Sequence, residues 1–345
     1  MSQITDSVPV HVTAQRAWVD DLLLPALRKT VASLPAAERT VAGYHRGWCE
    51  ADGSPSAAQR GGKAVRPKLA MLSAVAVDGA PGDAIPGAVA VELVHDFTLL
   101  HDDVIDGDAL RRYRPAAWSA FGTPAAVLTG DALLVTAMRV VADVPGHGTP
   151  AVKELVGALL GLVEGQSHDV AFERAREVSV AEYLAMAEGK TGALMGCACA
   201  LGGLLAGADA EQVDGLRDFG RRIGVAFQCA DDVLGIWGRS SRSGKPVGAD
   251  LAARKKSLPV VAALAEDGDA SRRLQALYDS PHPFTEQDVA LASRLVEEAG
   301  GRQAAEEEAH RQVTEALRSL SCARPAAEPY GQLRDIAWAM TGREH

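Results

Sequence analysis

Residues 100–112 read Leu-His-Asp-Asp-Val-Ile-Asp-Gly-Asp-Ala-Leu-Arg-Arg, with four aspartates inside seven positions and two arginines after them, at the end of an apolar segment. If the segment from Val89 onward is helical, Asp102 and Asp106 stand one turn apart on one face, with Asp103 beside them. Like charges so placed repel, and hard carboxylate oxygens select Mg²⁺ or Ca²⁺ over softer metals. A solvated helix end is the alternative for such a cluster standing alone. A second acidic pair argues for chemistry: in Gln228-Cys229-Ala230-Asp231-Asp232-Val233-Leu234-Gly235 two aspartates end another long apolar helix, with Gln228 one turn before Asp232.

Cations flank both pairs. Residues 51–62 form a loop rich in Gly, Ser and Pro that delivers Gly61-Gly62-Lys63-Ala64-Val65-Arg66-Pro67. Glycines let the backbone approach a ligand, and Lys63 and Arg66, three residues apart, suit a diphosphate. After the second pair, residues 238–249 read as a lid containing Lys245. Other motifs fail. An EF-hand aligned on Gly107 would need an oxygen ligand at Val104 and a glutamate near Tyr113, and a P-loop ending at Gly189-Lys190-Thr191 would need a glycine at Leu184.

From about Gly61 to Leu264 this constellation resembles the trans-prenyltransferases, the isoprenyl diphosphate synthases. The resemblance implies an all-α, single-domain bundle of helices around a central cavity, the isoprenoid synthase type I fold, as a homodimer. It implies a Mg²⁺-dependent transferase that joins isopentenyl diphosphate to an allylic diphosphate, with three ions alongside the diphosphate. Asp102, Asp103, Asp106, Asp231 and Asp232 take the metal positions. Lys63, Arg66, His95 and Arg112 take those of the acceptor's diphosphate, with Ala64 where an arginine is common. Arg111, Lys190, Lys245 and Lys255 fall to the allylic diphosphate, and Thr191 faces the forming cation with Gln228 nearby. Phe97 and Thr98, one turn below the aspartates, look like the arrangement of geranylgeranyl diphosphate synthases, with farnesyl diphosphate as the alternative product. Tyr113 stands where a glycine is usual and Gly235 where a third aspartate is common. A terpene cyclase on the same scaffold would not need Lys63, Arg66 and His95, and a non-catalytic partner subunit would lack the aspartates.

The elements that must position these groups are helices. The 345 residues are 47% hydrophobic and 23% charged, with no proline between Pro150 and Pro246 and little β-branched alternation. Residues 1–14 read as a tail and 15–345 as one domain, with a helix beginning near Gln15 and bending at Pro25. Further helices are expected at 87–106, 122–141, 217–234, from Thr285, at 302–320 and at 330–340, with backbone adjustment at Gly189 and Gly192. The 122–141 segment reads as buried, with Asp131 structural. A net charge of −10 excludes a general nucleic-acid or anionic-membrane surface. Five cysteines without CxxC spacing read as free thiols of a cytoplasmic protein and argue against zinc. Residues 191–208 form an uncharged run long enough for a membrane span, but its glycines point to close helix packing, so no transmembrane segment is expected.

Overall fold

The computed structural model describes residues 15–56, 64–238 and 247–342. The predicted tail, the Gly61–Lys63 stretch, most of the expected lid with Lys245, and the last three residues lie outside them. Among the described residues the chain is helical apart from a two-stranded ribbon, β1 (Leu110–Arg111) with β2 (Arg114–Pro115), and one isolated bridge between Cys49 and Pro55.

The chain divides into two compact units, the first drawn from the described residues of Met1–Leu155, Ala198–Asp214 and Ala323–Gln332, the second from Val156–Cys197, Gly215–Cys322 and Leu333–His345. The first unit begins with a π-helical turn, Trp18–Leu23, running directly into α1 (Leu24–Ala32). The predicted bend at Pro25 takes the form of the π-turn just before it: Leu24 N–H donates to Val19 O, and Pro25, which has no N–H to give, lies in the first turn of α1. Then follow α2 (Ala36–His45), α3 (Val65–Ala76), α4 (Ile85–Ile105), a short α5 (Ala117–Phe121) and α6 (Thr123–Ala142). Helix α4 is apolar on most of its circumference because α3 and α6 both pack on it. Its buried Leu93, Val94 and Leu100 each contribute roughly 1.5–3 kcal/mol.

Helix α6 is less buried than the sequence suggests. Leu128 is 58% exposed and Val135 65%, seven residues apart on one face, and the Asp131 side chain is 56% exposed. It is also the helix, among the described residues, long and apolar enough to cross a membrane by length and composition. The run 191–208 is not one: its α-helical part spans only Ala193–Leu205.

Helix α7 (Gly148–Phe172) enters the second unit, followed by α8 (Val180–Ala187), a π-turn at Glu188–Gly192, α9 (Ala193–Leu205) and α10 (Ala210–Trp237). The capping box of Ser179 with Glu182 starts α8. The expected adjustment at Gly189 and Gly192 is this π-turn. Helix α10 does not end at Asp231-Asp232; it runs on because Ile236 belongs to a core with Leu251, Val260 and Leu274, and it stops at Gly238. The remaining helices are α11 (Ala249–Ala252), α12 (Leu258–Ala265), α13 (Asp269–Tyr278), α14 (Glu286–Glu298), started by the Thr285–Asp288 capping box, α15 (Gly301–Cys322) and α16 (Ala327–Met340). All five cysteines are free, and Cys197, Cys199 and Cys229 are buried as expected.

Candidate active site

Helix α4 carries the first acidic cluster on its last turn. Asp106 closes the helix, its N–H donating to Asp102 O at 2.8 Å, and Gly107 with φ +68° turns the chain away. Asp102 is half-buried and Asp106 exposed. Asp103 is turned inward, with a side chain 2% exposed, and receives Arg111 Nε at 2.9 and 2.8 Å and Nη2 at 2.6 Å. This expected metal ligand is paired with the arginine in the structure.

Arg111 and Arg112 reach their places through the ribbon. Leu110 pairs with Pro115 and Arg111 with Arg114, leaving Arg112 and Tyr113 as a two-residue turn with φ +51° and +64°. Both central residues are left-handed, as in a type I′ hairpin. Tyr113 therefore adopts the backbone that a glycine would take there, at a steric cost. The ribbon is held by Tyr44 Oη donating to Pro115 O at 2.9 Å and by Arg114 over the Tyr44 ring.

A second cluster, cationic, lies in the same unit. Arg66 on α3 has a buried Nε without a hydrogen-bond partner. His95 on α4 is driven well below the ordinary histidine range, first by burial and then by Arg66, His45, Arg46 and Arg112. The sequence singled out Arg66, His95 and Arg112 but missed His45 and Arg46 at the end of α2. Arg46 donates to Asp96 Oδ2 at 2.5 Å and faces Glu92 at 3.2 Å, which fixes α2 against α4. A basic pair at a helix end is common, so no local signal marked it.

One turn before the aspartates, Phe97 is buried, with its ring edge-on to His101 at 4.7 Å, and Thr98 Oγ1 donates to His95 O at 2.8 Å. Gly130 on α6 leaves the room for the His101 ring.

The second unit holds the other predicted residues in one network. Thr191 Oγ1 donates to Gln228 Oε1 at 2.9 Å, and Gln228 Nε2 donates to Asp232 Oδ1 at 3.1 Å. Asp232 Oδ2 accepts from Tyr183 Oη and from Leu258 N, the latter at 2.7 Å, so this carboxylate caps the start of α12. Burial pushes the Asp232 carboxyl above the usual carboxylate range, against the pull of Lys255. Burial also works against the Lys255 ammonium, but Asp232, then Asp169, Asp250 and Asp231, outweigh it and keep the lysine charged. Asp232, 1% exposed, is tied to three elements by these bonds, whereas Asp231 is exposed one residue earlier.

Lys190 sits in the π-turn and donates to Asp169 on α7, a partner the sequence did not reveal. The approach is close: a Cβ at Gly165 would collide with Lys190 N, and one at Gly189 would lie 2.6 Å from Gly161 O. Gly235 has a similar explanation. A side chain there would run into the Asp250 carboxylate, which already fills the space beside α10. Lys63 and Lys245 lie outside the described residues.

Among the described residues no group of three or more His, Cys, Asp or Glu forms a closed metal site. Paired carboxylates still suit Mg²⁺, which is commonly held by one or two carboxylates, substrate phosphates and water.

Residues 54–296 match the polyprenyl synthetase family. The chain is 47% identical over 298 residues to a geranylgeranyl diphosphate synthase of Mycobacterium tuberculosis, covering 86% of this chain and 85% of that one. It is 43% identical over 328 residues to a (2E,6E)-farnesyl diphosphate synthase of the same organism, covering 94% and 91%. The crystal structure of a polyprenyl synthetase from Streptomyces coelicolor superposes with a TM-score of 0.90 at 43% identity, over 95% of this chain and 99% of that one. These likenesses, with the all-α fold they share, show that the chain belongs to the polyprenyl synthetase family, transferases that elongate prenyl diphosphates with isopentenyl diphosphate.

Proposed function

We propose that the chain makes geranylgeranyl diphosphate by adding isopentenyl diphosphate to a shorter allylic diphosphate, as one cytoplasmic domain spanning residues 15–345. The observation that carries elongation is the cluster of the buried Arg66, the buried neutral His95 and the exposed Arg112, on the same unit as the Asp102/Asp106 pair. A cyclase, which ionises its substrate without a second diphosphate, has no use for that set.

In this reading Asp102, Asp106 and Asp231 hold Mg²⁺, three ions with diphosphate present, and the ions supply Lewis-acid neutralisation of the departing diphosphate. Arg111, Lys190, Lys245 and Lys255 bind the allylic diphosphate, and preorganised charge of this kind stabilises a leaving group as its bond breaks. Asp103 aims Arg111, Asp169 aims Lys190, and Asp232 aims Gln228. The Thr191 hydroxyl and the Gln228 carbonyl direct their dipoles at the allylic cation. Lys63, Arg66, His95 and Arg112 hold the acceptor so that its double bond attacks that cation, after which a proton leaves to the freed diphosphate. Apolar walls keep water from capturing the cation. Phe97 beside Thr98 sets the length, and its burial against His101 supports a wall that stops growth at C20.

Product analysis with isopentenyl diphosphate, Mg²⁺ and, separately, dimethylallyl, geranyl and farnesyl diphosphates tests this. A C20 diphosphate from all three is expected; arrest at C15 assigns the farnesyl product instead.

A further inference from the structure

His45, the last residue of α2, has no part in the reaction as set out above. Its side chain is 3% exposed, yet its Nε2 has no hydrogen-bond partner. The nearest carboxylate oxygen, Asp96 Oδ1, is 3.8 Å away, too far for a hydrogen bond, and the same carboxylate is held by Arg46 through its other oxygen. Buried polar groups are almost always paired, because leaving one unpaired forfeits its hydration without return. An orphaned ring nitrogen therefore points to a missing partner.

The chemistry of that partner is set by what surrounds the ring. His45 lines a cavity with Tyr44, Arg111, Arg112 and Pro115. Burial, then Arg111, Arg46 and Arg112, push its pKa down to about 3, so the ring is a neutral donor in a field of fixed positive charge. A cation would be repelled there, and an anionic acceptor is favoured over a neutral one. A phosphate oxygen fits both the charge and the donor. The cavity also adjoins the cluster already assigned to the acceptor, since His45, Arg66 and Arg112 all act on His95.

We propose that His45 is an additional binding residue for the acceptor's diphosphate, its Nε2 donating to a phosphate oxygen beside Arg112. This rests on the reading that isopentenyl diphosphate is the acceptor. It also adds a donor, reaching in from α2, to a site that has Ala64 where an arginine is common.

The test compares the wild-type enzyme with His45→Leu, which removes the donor, and His45→Gln, which restores one. Steady-state constants for both substrates, calorimetric binding of isopentenyl diphosphate and thermal melting are measured for each. The expected result is a rise of about tenfold or more in acceptor KM and Kd for His45→Leu. The allylic KM and the melting temperature stay within error, and His45→Gln recovers most of the loss. Unchanged acceptor binding in the leucine variant, or equal losses for both substrates with a lowered melting temperature, overturns the proposal. If the leucine variant does not fold, the wild-type His45 ¹⁵N resonances decide: they shift when isopentenyl diphosphate is added, and no shift overturns it. A wild-type chain that elongates nothing defeats the functional reading itself, whereas an elongating enzyme indifferent to His45 defeats only this inference.

Discussion

Adjacent aspartates in this protein do different work. Asp231 is exposed, whereas Asp232 is sealed beneath it and accepts from Gln228, Tyr183 and the N–H of Leu258 while facing Lys255. The first cluster divides in the same way, Asp103 inward to Arg111 and Asp106 outward. Replacing a buried, multiply bonded carboxylate leaves a charge and several donors uncompensated, at a cost of about 3 kcal/mol. Asp232→Asn should therefore lower the melting temperature strongly. Asp231→Asn should leave the folding stability within about 0.5 kcal/mol of wild type while cutting kcat by about a hundredfold. Melting curves and turnover on the two variants check the division, and equal stability losses would contradict it. The aspartates themselves were legible from spacing alone. Which of each pair turns inward was not, because that depends on Arg111, Tyr183 and Leu258, eight to forty-nine residues away in sequence.

At the scale of elements, helix faces were legible and departures from ideal helix were legible only where glycine announced them. Gly189 and Gly192 flagged the π-turn that carries Lys190. The continuation of α10 past Asp232 was hidden because Gly235 stands where a helix stop is common, yet the helix runs on to Trp237 as the apolar Ile236 gains a core by staying helical. Gly235 looked like a lost ligand, but Asp250 occupies the space its side chain would need. The hairpin shows the converse, since Arg112 and Tyr113 hold left-handed backbones without glycine. Such a conformation costs a non-glycine residue roughly 1–2 kcal/mol. Tyr113 is 77% exposed, so its ring loses little when removed. Tyr113→Gly is expected to stabilise the protein by about 1 kcal/mol, after allowance for the freer unfolded chain, and to raise the melting temperature by about 1–2 °C. A lowered melting temperature would mean that the tyrosine contributes packing that its exposure hides.

Over the whole chain, the all-α class followed from composition and from the proline-free middle third, and the match to the polyprenyl synthetase family spans residues 54–296. Composition could not show that α6 leaves Leu128 and Val135 uncovered, because an apolar helix reads as buried whether its cover comes from its own chain or from another. The homodimer expected from the sequence is proposed to pack on this face. Leu128→Glu should shift the species measured by light scattering from dimer to monomer, and an unchanged dimer would place the interface elsewhere.

The buried Arg66 and His95, with Arg112, are proposed to serve a second diphosphate substrate. Mass analysis of the product from farnesyl diphosphate and Mg²⁺, with ¹³C-labelled isopentenyl diphosphate either present or omitted, tests it most directly. A diphosphate longer by one labelled five-carbon unit is expected when the acceptor is present, and unreacted farnesyl diphosphate when it is omitted. An unlabelled hydrocarbon or alcohol formed from farnesyl diphosphate alone, with no elongated diphosphate in the paired reaction, would contradict it.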